Sequence, residues 1–383
     1  MQTASPRRIP RLIVGWLATA AFFAAAPRWL AWGHDPLYLA LIVVLLFAVI
    51  LWSAFGVVHE ADHLAEALGE PLGTLVLTLA IVLIEVALIS AATLGASQPT
   101  LGRDTMFAVL MIVLNGVVGL GLLMGGLRHG QQRYNWQGAS AYLAVIIPLA
   151  VISFILPNFT VSTPVGTLHP VQAVCFSIFT LALYGVFLLI QTGRHRDFFV
   201  IEDEKPARDD MSDVALVTSP GLDAAPAHIA LARGELLRQG IWLLLAILPV
   251  VLLAKSLAKF IDLGLDRLHA PPALGGLIIA VIVLAPEGIS ALRAVGSNQL
   301  QRALNLCLGA SASTIGLTVP AVLGISLFTG QQLVLGLAPA GMVLLMLTLL
   351  LSMLTFSGTR TTLLEGAMHL MVFFVYVTLI FVG

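Results

Sequence analysis

The sequence predicts an all-α polytopic membrane protein of about eleven transmembrane helices, arranged as two inverted five-helix repeats behind one N-terminal helix. Three observations predict it. The 383 residues are 59% hydrophobic and only 10% charged, where ordinary soluble domains carry about 25% charged residues. Apolar surface on this scale, with a mean hydropathy of +0.99, calls for lipid as the solvent. Apolar runs of membrane length recur along the whole chain. Two of these runs also superpose: with Glu85 laid on Glu287, 202 positions on, Gly73 falls on Gly275 and Leu75 on Leu277.

Windows of about 20 apolar residues place the helices at 12–32, 37–64, 72–97, 104–126, 140–157, 169–193, 239–261, 273–297, 301–328, 331–353 and 361–382. The first resembles a secretory leader, with Arg7, Arg8 and Arg11 before an apolar stretch and Ala24-Ala25-Ala26 after it. Pro27 stands just past the would-be cut, where proline blocks cleavage, so a retained helix is expected. The fifth run is short, with Pro148 inside it and Pro157 at its end. With the N-terminus placed in the cytoplasm, 14 of the 19 Lys and Arg fall on inner segments and 5 on outer ones. That asymmetry predicts a cytoplasmic N-terminus and a periplasmic C-terminus in a bacterial inner membrane.

Residues 194–238 interrupt the apolar pattern with Asp197, Glu202, Asp203, Glu204, Asp209, Asp210 and Asp213 among Pro and Ala. They read as a solvated cytoplasmic linker. The domain plan is therefore an extra helix over 1–34, a first repeat over 35–193, the linker, and a second repeat over 239–383. Five helices per repeat is odd, so the second repeat enters the membrane from the opposite side. Cys175 and Cys307 both lie in apolar runs and imply neither a disulfide nor a metal cluster. A net charge of −1 argues against a nucleic-acid partner.

Glu85 and Glu287 are the candidate functional residues. A charge at bilayer depth costs roughly 2.5–3.5 kcal/mol on insertion scales. Glu85 lies about 13 residues into its run, near 20 Å along a helix rising 1.5 Å per residue. Two such costs at matched places point to a task shared by both halves, namely a cation site built on two carboxylates with protons competing for the same oxygens. A hard cation such as Ca²⁺ takes about 6–8 oxygens, and two carboxylates supply at most four. Pro286 cannot donate to the carbonyl of Ile282, which leaves that oxygen available. Helical spacing puts Thr74 and Thr78 on the face of Glu85, and Ala294 and Asn298 on that of Glu287. The run 304–320 is rich in small and hydroxyl residues, Gly309, Ser311, Ser313, Thr314 and Thr318 among them, and its counterpart holds Asn115 among Gly116, Gly119 and Gly121. These serve close packing, and Ser311, Ser313 and Asn115 are candidates for the wall of an ion path.

His59-Glu60-x-x-His63 matches the zinc-peptidase signature HExxH. A zinc site needs a third protein ligand, and no clear candidate follows in the sequence, so a polar helix end beside the path is the expected reading. An intramembrane peptidase and a cation channel on the same glutamates are the rival functions. His369 and Glu365 are further polar groups in the last run, with His369 expected as a satisfied core residue.

Several segments taken together resemble the Ca²⁺/cation antiporter superfamily, in its calcium/proton antiporter branch. They are LGEPLGTLVLTLAIVLIEVALIS (68–90), RDTMFAVLMIV (103–113), YGVFLLIQT (184–192), PEGISALRAVGSNQLQRALNL (286–306) and GAMHLMVFFVYV (366–377). The resemblance covers nearly the whole chain. It implies ten core helices in two inverted repeats and export of Ca²⁺ or Na⁺/K⁺ against inward protons. It also implies ion-binding roles for Glu85 and Glu287. The ions are cargo, and no cofactor is implied. The expected partners are monovalent or divalent cations, protons and the lipid bilayer, and nothing in the sequence sets an oligomeric state. The chain departs from the family's Gly-Asn-Ala-x-Glu pattern, with Val82 and Leu284 at the Asn positions. Ala310, Ser311 and Ser313 stand where the superfamily often has Ser, Thr and Gln. Fewer oxygen ligands leave room for Na⁺ or K⁺ beside Ca²⁺.

Overall fold

A computed structural model describes residues 8–31, 35–68, 72–95, 97–193, 196–199 and 233–382. Most of the acidic linker lies outside the described residues. The helices are α1 (Arg8–Ala31), α2 (Pro36–Leu68), α3 (Leu72–Gly95), α4 (Leu101–His129), α5 (Trp136–Asn158) and α6 (Pro170–Thr192). After the linker come α7 (Arg233–Leu268), α8 (Ala273–Gly296), α9 (Leu300–Thr329), α10 (Pro339–Thr355) and α11 (Leu363–Val382). Among the described residues, eight of these are long and apolar enough to cross a membrane, and α1, α3 and α10 contribute shorter apolar stretches. The chain is a nearly all-helical, multi-pass membrane protein.

Burial sorts the helices into a centre and a rim. In α4, 78% of the apolar window is buried inside the protein and in α9 72%, against 22% in α6 and 28% in α11. The rim helices leave Leu, Val and Phe exposed on the outside of the bundle, the pattern of helices that are apolar all round. Glycine sets the closest approaches. A Cβ on Gly276 of α8 would come within 2.6 Å of the Asp104 carbonyl carbon of α4, and one on Gly366 of α11 within 2.4 Å of the Leu123 nitrogen. At these crossings backbone lies on backbone.

α4 and α9 share a further feature. Each loosens into one π-helical stretch, Ile112–Val117 in α4 and Thr314–Thr318 in α9. The two stretches begin 202 positions apart, the offset that carries Glu85 onto Glu287. Pro320 has no N–H for the ladder behind the second stretch, and π-bulges concentrate at functional sites. A third π stretch, Val151–Ile155, follows Pro148, through which α5 continues.

The helix ends are tied by polar and aromatic contacts. Asn135 caps α5, and His169 with Gln172 forms a capping box on α6 ahead of Pro170. Phe199, at the start of the linker, packs edge-on against Tyr142 and Phe187, and its carbonyl accepts from Asn305 Nδ2 (2.8 Å). Two-residue strands β1 (Gln132–Arg133) and β2 (Arg360–Thr361) pair antiparallel between the loops after α4 and α10.

One expected helix starts late. The run 331–353 becomes helical only at Pro339. Gly330 ends α9 at φ 69°, and residues 331–338 pass as an extended segment whose N–H groups donate to Pro99, Gly166 and Phe154 carbonyls. Those backbone bonds compete with helix formation, and proline favours the first helical position. Hydropathy sees only the apolar content of the segment.

Candidate functional site

Glu85 is carried by α3 and Glu287 by α8, directly after Pro286. Both line a single small cavity of about 10 Å³, walled by Ala54, Val58, Ile84, Leu88, Ile282, Val283 and Pro286. That is room for about one water. Glu85 is 6% exposed. The π stretch of α9 serves it: Thr314 Oγ1 donates to Glu85 Oε1, and Ser313 Oγ donates to Oε2 (3.3 Å). Both hydroxyls also reach the Ala310 carbonyl, at 2.8 and 3.0 Å.

Glu287 is less provided for. Its Oε2 is buried without a hydrogen-bond partner among the described residues. A buried carboxylate oxygen with no donor is costly unless a proton or a cation meets it. Ile282, whose carbonyl Pro286 leaves without its helical N–H, is fully buried and lines the same cavity. The donors gathered here are all oxygens. This is a ligand set for hard cations, and it disfavours ions that seek nitrogen or sulfur.

Of the other expected residues, some join this cavity and some do not. Ser313 joins it. Ser311 donates back to the Cys307 carbonyl (3.1 Å) in its own helix. Thr78 lies within α3, and its side chain is outside what the structure describes. Asn298 is a correction. α8 ends at Gly296, Asn298 turns to φ 61°, and its Oδ1 accepts from Gln132 Nε2 (2.9 Å). Asparagine tolerates that left-handed turn, and the turn takes it off the face of Glu287. Glu365, a polar group of the last run as expected, accepts from the Thr362 N–H in the first turn of α11 and works as a helix cap.

Asn115 sits in the π stretch of α4, and its side chain is taken up by partners other than the carboxylates. Its Nδ2 donates to Thr348 Oγ1 (2.8 Å), and its Oδ1 pairs with His369 Nδ1 (3.0 Å). An amide oxygen only accepts, so Nδ1 is the donor and Nε2 accepts from Thr355 (3.0 Å). His369 is the satisfied core histidine expected, holding α4, α10 and α11 together. Thr314 is the residue that spacing alone did not single out: the hydroxyl-rich run signalled it, and the π stretch aims it.

His59 and His63 stand at the end of α2, with their Nε2 atoms 3.2 Å apart. Among the described residues no group of three His, Cys, Asp or Glu gathers as metal ligands, and nothing supports the peptidase reading.

Two carboxylates buried on neighbouring helices of a membrane bundle and facing one small, otherwise apolar cavity fit a cation-exchange transporter. The chain belongs to the sodium/calcium exchanger protein family, whose model matches residues 38–193 and 239–382. It is 40% identical over 353 residues to the sodium-potassium/proton antiporter ChaA of Escherichia coli, covering 91% of this chain and 92% of that one. Among solved structures it resembles native YfkE, with a TM-score of 0.68 at 16% identity over 97% of this chain and all of that one. It also resembles the H⁺/Ca²⁺ exchanger CAX, with a TM-score of 0.65 at 14% identity over 97% and 88%. The protein is a cation/proton antiporter, not an enzyme.

Proposed function

We propose that this chain exports Ca²⁺ and/or Na⁺ and K⁺ from the cytoplasm in exchange for protons, by alternating access across a bacterial inner membrane, with Glu85 and Glu287 holding cation and protons in turn. The observation that carries the reading is the shared cavity of the two glutamates. A carboxyl out of water takes up protons readily, and a proton on an oxygen displaces a metal ion from it. Loading is therefore exclusive, which is the requirement for exchange. The 202-position match of both the glutamates and the π stretches supports two repeats that rock about this point. The domain plan proposed is an extra helix over 1–34, repeats over 35–193 and 239–383, and the linker 194–238 between them.

Ser313 and the Ile282 carbonyl complete the first ring of oxygens in this scheme. Thr78, Ser311 and Asn115 lie behind it or along the path. The relative's name speaks of sodium and potassium. Val82 and Leu284 offer no side-chain oxygen where the superfamily often has Asn, which fits monovalent cargo as well as Ca²⁺.

The test uses everted vesicles holding a pH gradient, challenged with Ca²⁺, Na⁺ and K⁺ in turn. Wild-type protein is expected to dissipate the gradient with at least one of them. The half-saturating cation concentration should rise as the pH falls, because protons compete for the same oxygens. Glu85→Gln and Glu287→Gln should each abolish the response while the protein still inserts. A wild-type response from either variant would overturn the proposal. Accumulation of cation against its gradient, driven by protons, separates this antiport from a channel.

A further inference from the structure

The end of α2 carries a feature that the carboxylate site does not use. His59 and His63, four residues apart on one helix face, bring Nε2 to Nε2 at 3.2 Å, with ring centroids 4.4 Å apart. Both residues are exposed. An ion bound at about 2.0–2.1 Å by two imidazole nitrogens holds them about 3.3 Å apart in tetrahedral geometry and about 2.9 Å apart at a right angle. The observed spacing falls between these two values. In the metal-free protein the same nitrogens share a hydrogen bond, and one proton is what a metal ion would replace.

Chemistry separates this pair from the transport site. Two imidazoles suit borderline ions such as Zn²⁺, Ni²⁺ and Cu²⁺ and are poor ligands for Ca²⁺, Na⁺ and K⁺. Position couples the two sites. His59 directly follows Val58, which walls the carboxylate cavity together with Ala54 one turn before it. α2 packs along α3, which carries Glu85, and also touches α8, which carries Glu287. The two imidazoles act as a bidentate chelate, and water fills the remaining coordination positions.

We propose that His59 and His63 form a clamp for a transition-metal dication such as Zn²⁺, and that the bound ion stiffens the turn of α2 walling the cavity and so slows exchange. Binding of the ion does not rest on the transport reading, whereas slowing of exchange does, and the test keeps the two apart. Purified, chelator-stripped full-length protein is titrated with Zn²⁺ in a calorimeter. One saturable site per chain is expected, weakened about tenfold or more in His59→Asn and in His63→Asn by loss of one of the two chelating nitrogens, with no such site for Mg²⁺. In vesicles, micromolar Zn²⁺ should slow wild-type exchange and leave the H59N/H63N double variant unaffected, while both exchange alike without zinc. Zinc binding that persists in the double variant overturns the clamp and marks the pair as a hydrogen bond alone. Zinc that binds wild type without slowing it, or that slows both proteins equally by competing at the glutamates, overturns the coupling.

Discussion

Thr314 is the residue on which the site's asymmetry turns. Its hydroxyl and that of Ser313 converge on Glu85, while Glu287 Oε2 has no donor among the described residues. A hydroxyl has one proton, and Thr314 stands between the Ala310 carbonyl and Glu85. Its oxygen turns toward a cation when its proton turns to the carbonyl. A hydrogen bond to a charged group is worth about 1.5–3 kcal/mol, so Thr314→Val is expected to raise the half-saturating cation concentration by roughly tenfold or more. Thr314→Ser keeps the hydroxyl and should stay near wild type. The concentration dependence of gradient dissipation in vesicles measures both, and equal behaviour of the two variants would remove Thr314 from the site.

At the scale of elements, the glycine crossings decide how near the carboxylate helices stand to their neighbours. Gly276 of α8 leaves no room for a methyl against Asp104 and Thr105, and Gly366 of α11 leaves none against Leu123 and Gly119. Backbone cannot swing aside as a side chain can, so Gly276→Ala and Gly366→Ala should each destabilise by about 1–3 kcal/mol through overpacking. Gly185 of α6 meets nothing within 4 Å. There alanine should be neutral or stabilising by about 0.5–1 kcal/mol, since glycine weakens a helix interior. Thermal melting of the detergent-purified proteins gives the comparison. The Thr348–Asn115–His369–Thr355 chain belongs to this scale too, because its members come from α4, α10 and α11 and satisfy one another away from water.

For the whole molecule, the proposed orientation, argued from the Lys and Arg asymmetry, puts the linker on the cytoplasmic side. Cysteine introduced at Ser212, in a chain with Cys175 and Cys307 replaced by alanine, should react with a membrane-impermeant maleimide in everted vesicles and not in right-side-out cells. The reverse pattern would invert the proposed topology and the direction of export with it. The proposed pair of inverted repeats would also account for the offset that the glutamates and the π stretches share. Each repeat supplies a carboxylate on one helix and a π stretch on the next, and α3 packs on the π stretch of α9 as α8 packs on that of α4.

The amino-acid sequence by itself determined the membrane class, the eleven apolar runs and the matched glutamates. Each of these rests on local content: twenty apolar residues cannot stay in water, and a carboxylate among them stands out against any background. Tertiary structure decided the rest. Ile112–Val117 and Thr314–Thr318 read as ordinary helix in the sequence, yet both are π-helical, with Thr314 bonded to Glu85 and Asn115 bonded to Thr348 and His369. Asn298 shares a helical face with Glu287 only if the helix continues, and a turn at Gly296 ends it. Residues 331–338 are apolar enough for a helix, yet their N–H groups find partners in three distant segments. The physical reason is common to all three. Hydropathy reports which solvent a residue prefers, whereas the direction of a side chain depends on backbone hydrogen bonds, and those are settled between segments far apart in the chain.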